Sequence, residues 1–214
     1  MLHHLYGILE RPPQASRLPE TGVGDGPVLL RRVGGLVILF TPLDAVPRRT
    51  PYTVSRHREV QTAATTPGPF FPLPYGVMVT DFEPWLAPRA AAIHAGLRLV
   101  RGRVEMRVSV LALHFGAADS RRLGVVADRV AEASGLATWR SRTTGGGANT
   151  AISLAFLVRR AEVATFLARI APVATHAGDV AVVPSGPWPA SSFVPSLDAP
   201  GLPARPTPAI PHAV

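Results

Sequence analysis

Arg103-Val104-Glu105-Met106-Arg107-Val108-Ser109-Val110-Leu111-Ala112 places an apolar side chain at every second position, with Glu105, Arg107 and Ser109 between them. A period of two is the signature of a strand that buries one face. Downstream the period changes. Leu123, Val126, Ala127 and Val130 fall on one stripe of a helix over Asp119 to Ser134, with Asp119 or Ser120 at its N-cap and Gly135 at its end. Leu136 to Thr144 reads as a polar, exposed strand, and Gly145-Gly146-Gly147 as the turn that follows it. Ile152, Leu154, Phe156 and Val158 alternate again, so the next segment is a strand. Ala161 to Ala174 returns to helical spacing through Val163, Phe166, Leu167 and Ile170, and Thr175 to Val183 reads as a last strand. The order is βαββαβ, the ferredoxin-like arrangement.

The first half repeats this order with a loop in place of the first helix. Leu2 to Leu9 reads as a strand, and the Pro/Gly-rich stretch from Arg11 to Pro27 as a loop. Val28 to Arg32 and Leu36 to Phe40 flank Gly34-Gly35, a hairpin signal because glycine tolerates the positive φ of a tight turn. Thr53 to Thr65 is predicted helical, with Val54, His57 and Val60 on one face, and Phe70 to Val79 is predicted extended. Leu86, Ala90, Ile93, Leu97 and Val100 predict a helix from Pro84 to Val100, capped by Asp81 or Glu83 and kinked at Pro88. The predicted fold is α+β. Residues 1–80 form a modified ferredoxin-like domain, 81–100 a connecting helix and 101–185 a second ferredoxin-like domain. Residues 186–214 form a Pro-rich tail, docked in its first part and flexible after about Asp198.

Composition narrows the function classes. Of 214 residues, 47% are hydrophobic and 17% charged, which suits a packed core rather than a charge-driven disordered chain. The formal net charge is +8, and all 22 basic residues are arginine. These arginines are dispersed as pairs such as Arg48-Arg49 and Arg121-Arg122 rather than gathered in a basic arm, so a solvated surface is preferred to a nucleic-acid interface. The chain has no cysteine, which excludes disulfides, thiolate nucleophiles and cysteine metal sites. Its opening has no signal-peptide pattern, and its most apolar run, Val33 to Phe40, is far shorter than a membrane helix requires. A soluble, cytoplasmic protein is expected.

A search for chemistry returns no catalytic, cofactor or metal residues. The histidines at 3, 4, 57, 94, 114, 176 and 212 form no HExxH or similar ligand pair. His57 is expected to pack or hydrogen-bond within its own helix. No serine lies in GxSxG, and Gly145-Gly146-Gly147 is not followed by the Gly-Lys-Ser/Thr of a phosphate loop. Gly22-Val23-Gly24-Asp25-Gly26 leads into Pro27 and a strand, not the helix a dinucleotide site needs. A small-molecule enzyme using His57 or His114 ranks last. A ferredoxin-like nucleic-acid-binding module is the alternative reading, with Trp139, Arg140 and Arg142 as its candidate strip.

One segment stands out. Ser185-Gly186-Pro187-Trp188-Pro189 precedes Ala190-Ser191-Ser192-Phe193-Val194. Pro187 and Pro189 stiffen the backbone on both sides of Trp188. Trp188, Pro187, Pro189 and Phe193 are therefore either a structural anchor that staples the segment to the core or an aromatic anchor for a partner. Docking of Trp188 against the first domain or the domain junction is expected.

Gly186-Pro187-Trp188-Pro189 just before Ser192-Phe193-Val194 resembles the ending of the GvpL/GvpF family of gas vesicle proteins. Leu5-Tyr6-Gly7-Ile8 resembles its opening strand, His57-Arg58-Glu59-Val60 its His-Glu-containing helix, and Phe71-Pro72-Leu73-Pro74-Tyr75-Gly76 its Leu-Pro-x-x-Phe-Gly stretch. Arg101-Gly102-Arg103-Val104-Glu105 resembles its Gly-x-x-Glu strand and Leu154 to Arg159 its Tyr-Leu-Val strand. The likeness runs in the family's order to about Val194. Departures are Ala190-Ser191 where the family has Pro-Tyr, Tyr75 in place of Phe, and a basic chain where many members are acidic. The resemblance implies a non-enzymatic accessory protein of gas vesicles, the gas-filled, protein-shelled organelles that give buoyancy. It implies a part in shell assembly through binding of the hydrophobic shell protein and other accessory proteins.

Overall fold

In the computed structural model of the chain, residues 1–13, 17–65, 68–112, 119–144 and 151–197 are described. The side chains of the predicted caps Asp119 and Ser120, the Gly145-Gly146-Gly147 turn, His114 and the tail beyond Leu197 lie outside what is described. The architecture is mixed α/β, with two separate antiparallel sheets and helices packed on them.

The first sheet holds β1 (Leu2–Leu9), β2 (Leu29–Val33), β3 (Leu36–Leu43), β4 (Phe70–Pro72) and β5 (Met78–Val79) in the order β2-β3-β1-β4, with β5 also beside β1. Gly34 and Gly35, at φ 54° and 82°, make the two-residue turn that brings Val33 opposite Leu36, as the hairpin signal predicts. Both faces of this sheet are covered. On one lies α1 (Pro51–Thr65), with Val60 and Ala64 against Tyr6, Leu9, Val37, Leu39 and Phe70. On the other lie α2 (Phe82–Leu86) and α3 (Ala90–Val100), with Phe82, Ile93 and Leu97 against Leu5, Ile8, Ile38 and Phe71. The helix predicted over Pro84–Val100 is thus two helices joined by a 3-10 turn at Ala87–Arg89, where Pro88 lacks the N–H that a continuous α-helix requires. Asp81 caps α2, its Oδ1 accepting from the Glu83 N–H at 3.2 Å.

The second sheet holds β6 (Arg103–Ala112), β7 (Trp139–Thr144), β8 (Ala151–Arg159) and β9 (Val180–Trp188) in the order β7-β8-β6-β9. Its helices, α4 (Asp119–Ser134) and α5 (Val163–Thr175), pack on one face, where Leu123, Val126, Val130, Phe166 and Ile170 meet the alternating apolar set of β6 and β8. The strand predicted over Thr175–Val183 is shifted. The helix keeps Thr175, and the strand continues through Pro184 and Pro187 to Trp188. Only an edge position permits this, because proline has no N–H for a second neighbour, and β9 is the edge of its sheet.

Among the described residues, the second face of this sheet has no helix of its own unit. Val100, in the last turn of α3, reaches Ala155 and Leu157 from one side, and Ala190 and Phe193 cover the same patch after β9. Val194 and Leu197 pack in turn on the core of the first unit, so the segment after Trp188 touches both halves of the molecule.

Candidate functional site

Where the helix-free face of the second sheet approaches α1, the chain leaves a cleft of about 500 Å³. Its α1 wall carries Arg58 and Thr62, continued by Arg49 and Tyr75. The sheet wall carries Arg107 and Ser109 from β6, Ser153 from β8, and Ser185 and Trp188 from β9. The alternation of β6 explains this wall. Met106, Val108 and Val110 face the helices, so Glu105, Arg107 and Ser109 must face the other way.

Glu105 organises the wall. Its side chain is fully buried. One carboxylate oxygen pairs with Arg107 Nε at 2.5 Å and accepts from the Ser192 hydroxyl at 3.0 Å, while the other accepts from the Ser192 N–H at 2.8 Å. Arg107 Nη2 also donates to Ser191 Oγ at 3.2 Å. A buried carboxylate needs such a set of donors, because burying it unpaired costs several kcal/mol. Glu105 thereby clamps the segment that follows Trp188. Sequence reading singled out the Gly-x-x-Glu stretch and the ending separately but gave no sign that one holds the other. Arg140 adds a second fastening, its Nε donating to the Ser192 carbonyl at 3.0 Å and its guanidinium lying 5.8 Å from the Phe193 ring centre.

The four residues singled out from the ending have different fates. Phe193 is 5% exposed and packs against Val100, Ala155 and Leu157. Pro189 is buried and Pro187 exposed. Trp188 stands at the cleft rim, 37% exposed, its indole N–H reaching Ser185 Oγ at 3.3 Å. Gly186 sits at φ 124° where the β6–β9 register shifts, and a Cβ there would lie 2.9 Å from Met106 Sδ and 3.0 Å from the Glu105 carbonyl oxygen. The glycine of the motif is thus required by backbone geometry and close approach.

Beneath the α1 wall lies a buried polar relay. His57 Nε2 donates to the Leu73 carbonyl at 3.0 Å, leaving Nδ1 to accept from His4 Nε2 at 2.9 Å. Gln61 Nε2 donates to the Leu73 and Tyr6 carbonyls, each at 2.7 Å. The expectation that His57 bonds within its helix is corrected. Leu73 follows β4, whose strand breaks between Pro72 and Met78, and its carbonyl needs donors from α1. Burial pushes His4 down to about 3, helped by the neighbouring His57, and pushes His57 down to about 4. Neither is poised as a base near neutral pH. Among the described residues, no group of three or more His, Asp or Glu is placed to hold a metal ion. None of the described helices is long and apolar enough to cross a membrane.

The strip of Trp139, Arg140 and Arg142 does not form. Trp139 pairs with Phe156 and packs on the helix-covered core, while Arg140 and Arg142 pair with Ala155 and Ser153 on the opposite face. Adjacent residues of a strand cannot share a face.

Two solved structures share this architecture. The gas vesicle protein GvpF from Anabaena sp. PCC7120 aligns with a TM-score of 0.76 at 15% identity, covering 91% of this chain and 96% of that one. GvpF from Microcystis aeruginosa aligns with a TM-score of 0.72 at 12% identity, covering 91% and 99%. At such identities the likeness establishes the fold. No curated protein matches the sequence. The sequence profile of the gas vesicle synthesis protein GvpL/GvpF family matches residues 2–123 and 114–195, nearly the whole of the described chain. On that match, this chain belongs to the GvpL/GvpF family of gas vesicle synthesis proteins.

Proposed function

We propose that the protein is a non-enzymatic accessory protein of gas vesicles, which takes part in shell assembly by binding the hydrophobic shell protein and other accessory proteins in the cytoplasm. Family membership carries this reading. The half-exposed Trp188, held at a cleft by a segment bound to both units, supports it, because aromatic anchors on rigid backbone are favoured contact points between proteins. We further read both units as ferredoxin-like, the first modified, since both sheets place their first four strands in the order 2-3-1-4. The nucleic-acid reading loses its support with the separation of Trp139 from Arg140 and Arg142.

Co-expression pull-downs with the shell protein and with each accessory protein test the proposal, alongside deletion of the gene. Association with one of them, and misassembled or missing vesicles in the deletion strain, are the expected results. No association with any component, together with normal vesicles in the deletion strain, would overturn it.

A further inference from the structure

We propose that the cleft between α1 and the second sheet receives an acidic peptide segment of a partner protein, with an apolar side chain of that segment lying on Trp188. The proposal rests on the accessory-protein reading and names the kind of segment that would be held.

Charge is the first reason. Arg49 and Arg58 line the cleft beside Arg107, whose charge is paired with Glu105, and among the described residues no carboxylate lines it. Glu105 is spent on Arg107 and Ser192 behind the wall. Arg58 is exposed and makes no ion pair among the described residues, so its charge is available to a ligand. A concave site lined by one sign of charge concentrates the opposite sign and orients it.

Shape and polarity supply the second reason. Ser109 and Ser153 present hydroxyls from neighbouring strands, suited to carboxylate or peptide carbonyl oxygens. Trp188 gives one apolar surface at 37% exposure, and Val183, opposite Ser109 in register, extends the helix-free face with another at 47%. A concave wall that sets cationic and hydroxyl groups beside an apolar ring suits an amphipathic segment. A nucleic-acid strand would instead call for several rings stacked along an arginine track, and Trp139 is turned to the other face.

The test is fluorescence anisotropy of the full chain with a fluorescein-labelled peptide of alternating glutamate and phenylalanine. Saturable binding that weakens with salt is expected. Arg58→Glu should weaken it about tenfold, since one charge at close range is reversed. Trp188→Ala should weaken it as well. Arg98→Glu changes net charge equally but lies on α3, across the first sheet from α1, and should leave binding within about twofold. Equal effects of Arg58→Glu and Arg98→Glu would overturn the proposal, as would absence of peptide binding. Tighter, Arg58-dependent binding of an oligothymidylate would overturn it in favour of a nucleic acid. If the wild-type chain still captures vesicle components in the pull-downs while ignoring the peptide, the cleft assignment fails and the accessory-protein reading stands.

Discussion

Acid should destabilise this protein through the His4–His57 pair. Both rings are buried, at 0% and 3% exposure, and joined in a relay that needs both to be neutral. His57 Nε2–H is committed to the Leu73 carbonyl, so a proton added at Nδ1 would face the His4 N–H. A proton added to His4 Nδ1 would find no acceptor, since that buried nitrogen has no partner among the described residues. The folded values of about 3 and about 4 lie below the ordinary histidine value of 6.5. The sign follows. In the unfolded chain both rings take up protons below pH 6.5, while in the folded chain they resist until the pH nears 4. The stabilisation is therefore complete above pH 6.5 and is lost as the pH falls. At pH 5 each unfolded imidazole gains about 2 kcal/mol from protonation that the folded state lacks, or about 4 kcal/mol for the pair. That is a large share of the 5–15 kcal/mol typical of a domain. Urea unfolding of the wild type and of His57→Gln at pH 7.5 and pH 5 checks this. Gln offers an amide to the Leu73 carbonyl without a titrating nitrogen, so the variant's loss between the two pH values should be smaller by about 2 kcal/mol. Equal losses in the two proteins would refute the reasoning.

The remaining predictions concern the clamped segment. Phe193→Ala should cost about 3–4 kcal/mol because the ring is 5% exposed, whereas Trp188→Ala, at 37% exposure, should cost no more than about 1.5 kcal/mol; thermal melts that rank them the other way would make Trp188 the staple. Glu105→Ala should cost about 3 kcal/mol, since it strips the Ser192 N–H and hydroxyl of their acceptor and leaves Arg107 without its carboxylate. Limited proteolysis should then cut between Pro189 and Leu197, and an unchanged digestion pattern would argue against the clamp. Gly186→Ala should cost about 2 kcal/mol or more from its positive φ and the 2.9 Å approach to Met106, measured by urea unfolding.

Much of the fold is legible in the chain itself, because periodicity is a local property. The alternation from Val104 to Val110 and the stripe Leu123, Val126, Ala127, Val130 each fix an element and its buried face without reference to any other part of the molecule. Gly34-Gly35 sets the hairpin for the same reason. The Gly-Pro-Trp-Pro ending likewise marks the segment by composition alone. What tertiary structure decided depends on neighbours distant in sequence. Pro184 and Pro187 read locally as the end of a strand, yet β9 runs through them because it lies at a sheet edge, where the missing N–H has no partner to lose. Trp139 looks like the companion of Arg140 and Arg142, but the sheet sends it to the opposite face. Phe193 rather than Trp188 became the buried ring because Glu105, 87 positions from Ser192, holds the backbone so that Phe193 meets Val100 and Leu157. The cleft exists only because the second sheet has helices on one face and meets α1 near the other, a relation between two units that no window of sequence contains.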